Sequence, residues 1–133
     1  MIEHISKDGI IFAIIIRSTY SSNGIEFFSP PDLPMQLGYM KRPKDYVIEA
    51  HKHSFVTLQV DKISETLFIK SGEVHAYLYD ENDALFTECT LKQGDVVMFT
   101  GYGHRFKVLE EAEIIEVKQG PYSENKISIN NGL

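Results

Sequence analysis

Apolar residues recur along this chain in short runs between turn-forming residues, and no stretch keeps a convincing helical period. Residues 10–17, 36–41, 47–53, 56–60, 66–69, 74–79, 86–90, 96–99, 106–109, 114–118 and 126–129 each read as a strand rich in β-branched and aromatic side chains. Residues 71–72, 80–83 and 92–94 carry the Gly, Asp and Asn that mark turns. Strands at this spacing predict an all-β sandwich or small barrel. The proline-rich stretch 29–34 reads as a stiff connector between the N-terminal strand and the body, and no internal repeat is evident.

One run departs from alternation. Ile10–Ile16 is apolar at every position, too short to cross a bilayer and too apolar for a solvent-facing edge. Burial on both faces of that strand predicts a second subunit as its cover, and so a homodimer with the N-terminal strand at the interface.

Length and charge narrow the possibilities. The 133 residues suit a single domain, 1–133, with a barrel core near 34–120, the N-terminal strand at 10–17 and a tail at 121–133. A net charge of -6 offers no basic face to nucleic acid or to an anionic membrane, although a local basic pocket fits within an acidic total. The single cysteine, Cys89, has no intramolecular disulfide partner, which agrees with a reducing, cytoplasmic setting.

Candidate chemistry begins at His51-Lys52-His53. Successive strand side chains point to opposite faces, so on a strand both imidazoles face one way, with Glu49 on the same parity and Lys52 turned outward. Neutral imidazole is the commonest metal ligand, and same-face neighbours on a rigid strand can share one ion. Downstream come Glu65, Gly72, Gly94-Asp95, Gly101 and His104, while His4 and His75 read as surface residues. Glu116 and Lys118 share a strand face opposite Ile115 and Val117, either lining a cavity as an acid-base pair or facing solvent. Tyr39 and Tyr102 are candidate pocket walls or proton donors. No nucleophile-base arrangement, phosphate-cradling glycine loop or paired-cysteine site is visible.

These residues resemble the two signatures of the cupin family. The first is His51-Lys52-His53 followed by Glu65 and, seven positions on, Gly72; the second is Gly94-Asp95 followed by Gly101-Tyr102-Gly103-His104. Thr100 stands where the family usually has proline, and the gap from His53 to Glu65 is longer than usual. The resemblance implies a double-stranded β-helix, or small jelly-roll barrel. It also implies one divalent transition metal (Zn, Mn, Fe, Ni or Co) held by His51, His53, Glu65 and His104, with Glu49, Glu116 and Lys118 as candidate catalytic groups. Similarity to a bacterial subgroup associated with polysaccharide and nucleotide-sugar biosynthesis implies a sugar-like substrate and isomerase or epimerase chemistry. Its alternatives are metal-free acid-base work by His51 and His53, an iron-dependent dioxygenase, and a non-catalytic carbohydrate- or metabolite-binding module.

Overall fold

Alternating apolar and polar residues make strands here, as the pattern predicts: every regular element in the computed structural model, which describes residues 1–129, is a β-strand. Among the described residues no helix is long and apolar enough to cross a membrane. In chain order the strands are β1 (Ile2–Lys7), β2 (Ile10–Ile16), β3 (Gly24–Phe27), β4 (Gly38–Lys41), β5 (Glu65–Tyr79), β6 (Leu85–Lys92), β7 (Val96–Phe99) and β8 (His104–Lys118). Contacts divide the chain into two compact units, one of Met1–Tyr20 with the chain from Lys62 onward, the other Ser21–Asp61.

The first unit is built on one antiparallel sheet of six strands, ordered β1-β2-β7-β5-β6 with β8 also on β5. Strand β5 organises it. One of its edges pairs with β7 through residues 65–68 and with β6 through residues 73–79, while the other follows β8 from Glu65 opposite Lys118 to Leu78 opposite His104. Midway, between Ile69 and Val74, the ladder to β8 slips register repeatedly. The buried positions pass from Leu67 and Ile69 to Val74, Ala76 and Leu78, so the inward face changes from odd to even numbers. Bulges do this by leaving a residue unpaired, which bends the strand and sharpens its twist.

Gly72 lies in the bulge at a φ of 85°, and a Cβ there would stand 2.2 Å from the Glu111 carbonyl oxygen. The turn expected at 71–72 is therefore a kink within one 15-residue strand, and the expected strands 106–109 and 114–118 are likewise joined in β8. A straight strand would place Glu65 roughly 43 Å from Leu78. Yet His104, the ladder partner of Leu78, touches Glu65, so the sheet curls into a half-barrel until the two ends of the β5–β8 ladder meet.

Strand β2 occupies a different place from the one its composition suggested. It is not an edge: β1 and β7 pair with its two sides, and Phe12, Ala13, Ile14, Ile15 and Ile16 are all buried by the chain itself. Its uninterrupted apolar run reflects a central position in the sheet, and the burial does not call for a partner subunit. Strand β1, which has no such run, was not foreseen.

The turn at 80–83 forms as expected, because Asp80 Oδ1 accepts from the backbone N–H groups of Asn82 (2.9 Å) and Ala84 (3.0 Å). Its other oxygen accepts from Lys7 Nζ at 2.6 Å. That hydrogen bond, with the two backbone donors, holds the Asp80 carboxyl down at about 2. A folded value below the unfolded one, which is near 3.9, means that Asp80 stabilises the fold above about pH 4 and stops doing so as the pH falls toward 2. Asp80→Asn should flatten the fall in Tm across that window; an unchanged slope in thermal melts from about pH 5 to pH 2 would reject this account.

In the second unit β3 and β4 form an antiparallel ribbon. The proline-rich stretch 29–34 belongs to the loop of this ribbon and does not act as a connector: Gln36 Nε2 donates to the carbonyls of Pro30 (2.8 Å) and Leu33 (2.9 Å), and Ser29 Oγ accepts from the Leu37 N–H at 2.9 Å. Strand β3 was not foreseen. The strands expected at 47–53, 56–60 and 126–129 are absent, since residues there join no ladder. Side-chain alternation supplies a pattern, but a strand also needs a neighbour to take its N–H and C=O groups.

Candidate functional site

The curl of β5 and β8 creates a polar cluster on an otherwise apolar inner face. Glu65 opens β5 and shares its inward face with Leu67 and Ile69; His104 opens β8 and shares its inward face with Phe106. His104 Nε2 lies 3.2 Å from Glu65 Oε2, with both side chains mostly buried. The imidazole stacks on Phe99 at 4.9 Å between centroids and leans on Phe106 at 5.0 Å, which fixes its orientation. Its Nδ1 is buried with no hydrogen-bond partner among the described residues.

The turn that delivers His104 is pinned from below. Thr100 donates its N–H to the Phe12 carbonyl at 3.1 Å and its hydroxyl to the Ile11 carbonyl at 2.6 Å, and the Tyr79 N–H donates to the Gly103 carbonyl at 3.0 Å. Proline at position 100 could supply neither of the Thr100 bonds. The threonine that departs from the cupin pattern therefore ties the end of β7 to β2.

Glu116 and Lys118 join this cluster. The ladder sets Lys118 opposite Glu65 and Glu116 opposite Leu67, so both stand on the inner face. Hydrogen bonding from His104 holds the Glu65 carboxyl below the usual carboxylate range, with further help from Glu116 and the Lys118 charge, while burial opposes them. Gln119 was not anticipated, and alternation gives no signal for it because it lies beyond the end of β8. Its Oε1 accepts from the Ser64 N–H at 2.6 Å, and its Nε2 is buried without a partner among the described residues. Phe99 and Phe106 were also overlooked as walls of the site, although Phe106 follows His104 by two and so shares its face.

Of the remaining predicted residues, Tyr102 belongs to the same unit, and Tyr39, Glu49, His51 and His53 belong to the unit Ser21–Asp61. Tyr102 packs its ring 4.6 Å from that of Phe12, against the core, with Lys62 Nζ 5.4 Å above it. Tyr39 lies on β4, opposite Glu26. Glu49, His51 and His53 are exposed and outside any strand, so the argument that a strand aligns the two imidazoles does not apply. Their rings are nonetheless neighbours, 5.3 Å apart at 76°, and His51 Nδ1 lies 2.7 Å from the Glu49 carbonyl oxygen. His75, expected at the surface, is half-buried, with Nδ1 3.0 Å from Thr90 Oγ1.

Two of the four expected metal ligands, Glu65 and His104, thus converge. Among the described residues no group of three or more His, Cys, Asp or Glu side chains is arranged to hold an ion. The residues brought together do not by themselves fit a metal centre, whereas an imidazole beside an ionised carboxylate is suited to taking up and returning a proton. No family model matches the chain, and neither curated proteins nor solved structures provide a match.

Proposed function

We propose that this protein acts on a small polyoxygenated substrate of the sugar or sugar-nucleotide class, with Glu65 and His104 moving a proton in an isomerase- or epimerase-type reaction within a cupin-like barrel. The observation that carries this reading is the 3.2 Å contact between His104 Nε2 and Glu65 Oε2 on the inner face. A carboxylate held ionised is available as a base, the hydrogen-bonded imidazole can pass the proton on, and Lys118 supplies positive charge where an enediolate oxygen would develop. Phe99 and Phe106 exclude water from one side of the imidazole.

Proton abstraction next to a carbonyl leaves a record in deuterated water. Keto-sugar nucleotides and simple ketoses incubated with the protein should gain deuterium at the carbon adjacent to the carbonyl, read by NMR, and Glu65→Gln should slow this by about 10²–10⁴-fold. Because the Glu65 carboxyl is held low, the wild-type rate should persist below the ordinary glutamate value near 4.3. A ligand that binds but emerges without deuterium would replace the enzyme reading with that of a binding module. Metal analysis of protein without a histidine tag tests the expected ion separately: stoichiometric metal that His53→Ala and His104→Ala each remove would make both histidines ligands of one ion, and full occupancy in both variants would dismiss the expected set.

A further inference from the structure

Glu65 opposite Lys118 is the last strand pair of the β5–β8 ladder, and the same register continued by one step sets Ser64 opposite Gln119. A side chain makes the rung there, since Gln119 Oε1 accepts from the Ser64 N–H at 2.6 Å. Beyond Gln119 the chain leaves the strand through Gly120 and Pro121, and proline has no N–H with which to continue a ladder. Ser64 is only 2% exposed, so its N–H needs an acceptor within the protein. The peptide held in this way is the one that leads into Glu65. Released from Gln119, Glu65 would become the terminal residue of a strand, and ends of elements are the first parts to open.

Stability of the strand end does not by itself account for an amide at this position. The Ser64 N–H must face the amide oxygen, which makes Nε2 the other end of the group, and that atom is buried with no partner among the described residues. Buried N–H donors without an acceptor oppose folding. An apolar side chain would avoid that cost but could not accept from Ser64. The opposite member of the pair is fixed separately, because Phe99 and Phe106 hold the His104 ring. The 3.2 Å contact between His104 Nε2 and Glu65 Oε2 therefore depends on where the backbone sets Glu65. An ionised carboxylate only accepts, so Nε2 of the neutral ring carries the proton and the buried Nδ1 is a bare acceptor.

We propose that Gln119 is a positioning residue of the Glu65–His104 site, which by holding the Ser64 peptide keeps the Glu65 carboxylate on His104 Nε2 and the imidazole in one tautomer. Its effect on rate rests on the proton-transfer reading of that pair, and its effect on the tautomer does not. Nitrogen NMR of the His104 ring, at a pH where the ring is neutral, and hydrogen exchange at the Ser64 amide test this in the full-length protein. Wild-type protein should show a single tautomer protonated at Nε2. In Gln119→Leu the Ser64 N–H should exchange about tenfold or more faster and His104 should become a mixture of tautomers. Deuterium incorporation into a keto-sugar substrate should slow by about tenfold at saturation, with KM within about twofold of wild type. Gln119→Glu keeps an acceptor for Ser64 and should restore the single tautomer. If Gln119→Leu does not fold, Gln119→Asn, one methylene shorter, supplies the same comparison with less change in packing. A single tautomer in a variant whose Ser64 N–H has lost protection would confine Gln119 to securing the strand end and overturn the proposal, as would an unchanged Ser64 exchange rate. A tautomer mixture in the variant, with no deuterium incorporated even by wild-type protein, would set aside the proton-transfer reading and leave the positioning role standing.

Discussion

Gly72→Ala should destabilise the fold by about 3 kcal/mol or more, seen as a lower urea midpoint with little change in slope. Two costs add at this residue. A φ of 85° strains any L side chain by roughly 1–2 kcal/mol, and the new Cβ would meet the Glu111 carbonyl oxygen at 2.2 Å and the Ala112 Cα at 2.7 Å. Those are backbone atoms of β8, so relief requires shifting a strand that follows β5 along its length. Gly9 provides the control, with a φ of 80° and nothing within 4 Å of an added Cβ. Gly9→Ala should show the strain alone, and equal losses at the two positions would mean that the β5–β8 approach at the bulge is not tight. Since the kink helps to curl the ladder, Gly72→Ala should also weaken the Glu65–His104 contact, readable by NMR as a Glu65 carboxyl that titrates higher than in the wild type.

The second large loss is expected at Asp95, the acidic residue of the Gly94-Asp95 signature. Its buried carboxylate accepts from Arg17 Nη1 at 2.9 Å, from the Ser18 N–H at 2.8 Å and from the Lys92 N–H at 2.8 Å. Arg17 also donates to the Thr90 carbonyl at 2.7 Å and to Glu3. One side chain thus joins the end of β2, the turn after β6 and, through Arg17, β1. Asp95→Ala would leave two backbone donors and a mostly buried guanidinium without their acceptor, a loss of about 3–5 kcal/mol. Asp95→Asn retains an acceptor oxygen and should lose less. If chemical denaturation places Asp95→Ala within about 0.5 kcal/mol of wild type, the anchoring role is wrong.

That signature shows how motif reading and structure diverge. Gly94-Asp95 was noticed beside candidate ligands, yet Asp95 points into a structural network around Arg17 and not toward His104. Within one chain stretch, the same pattern marked a scaffold residue and a site residue. Glu65 and His104 were legible through the resemblance of Glu65–Gly72 and of Gly101–His104 to the cupin signatures, and Glu116 and Lys118 because alternation gave them one face. Gln119, Phe99 and the anchoring of Thr100 were not legible, since each acts through a partner distant in sequence: Ser64, His104, and the Ile11 and Phe12 carbonyls.

What the amino-acid order determined by itself is local: the period of two that makes the chain all-β, the apolar run that must be buried, and the glycine-containing turn at 92–94. Tertiary structure alone decided which runs obtain a neighbour. It placed β2 between β1 and β7, joined the expected pairs of strands into β5 and β8, and left 47–60 without a ladder despite its alternating residues. It also brought Glu65 to His104, because the β5 bulge reverses the inward parity and helps the ladder to curl. The physical reason is that side-chain direction follows from one strand's own backbone, whereas pairing depends on hydrogen bonds and packing with residues far along the chain.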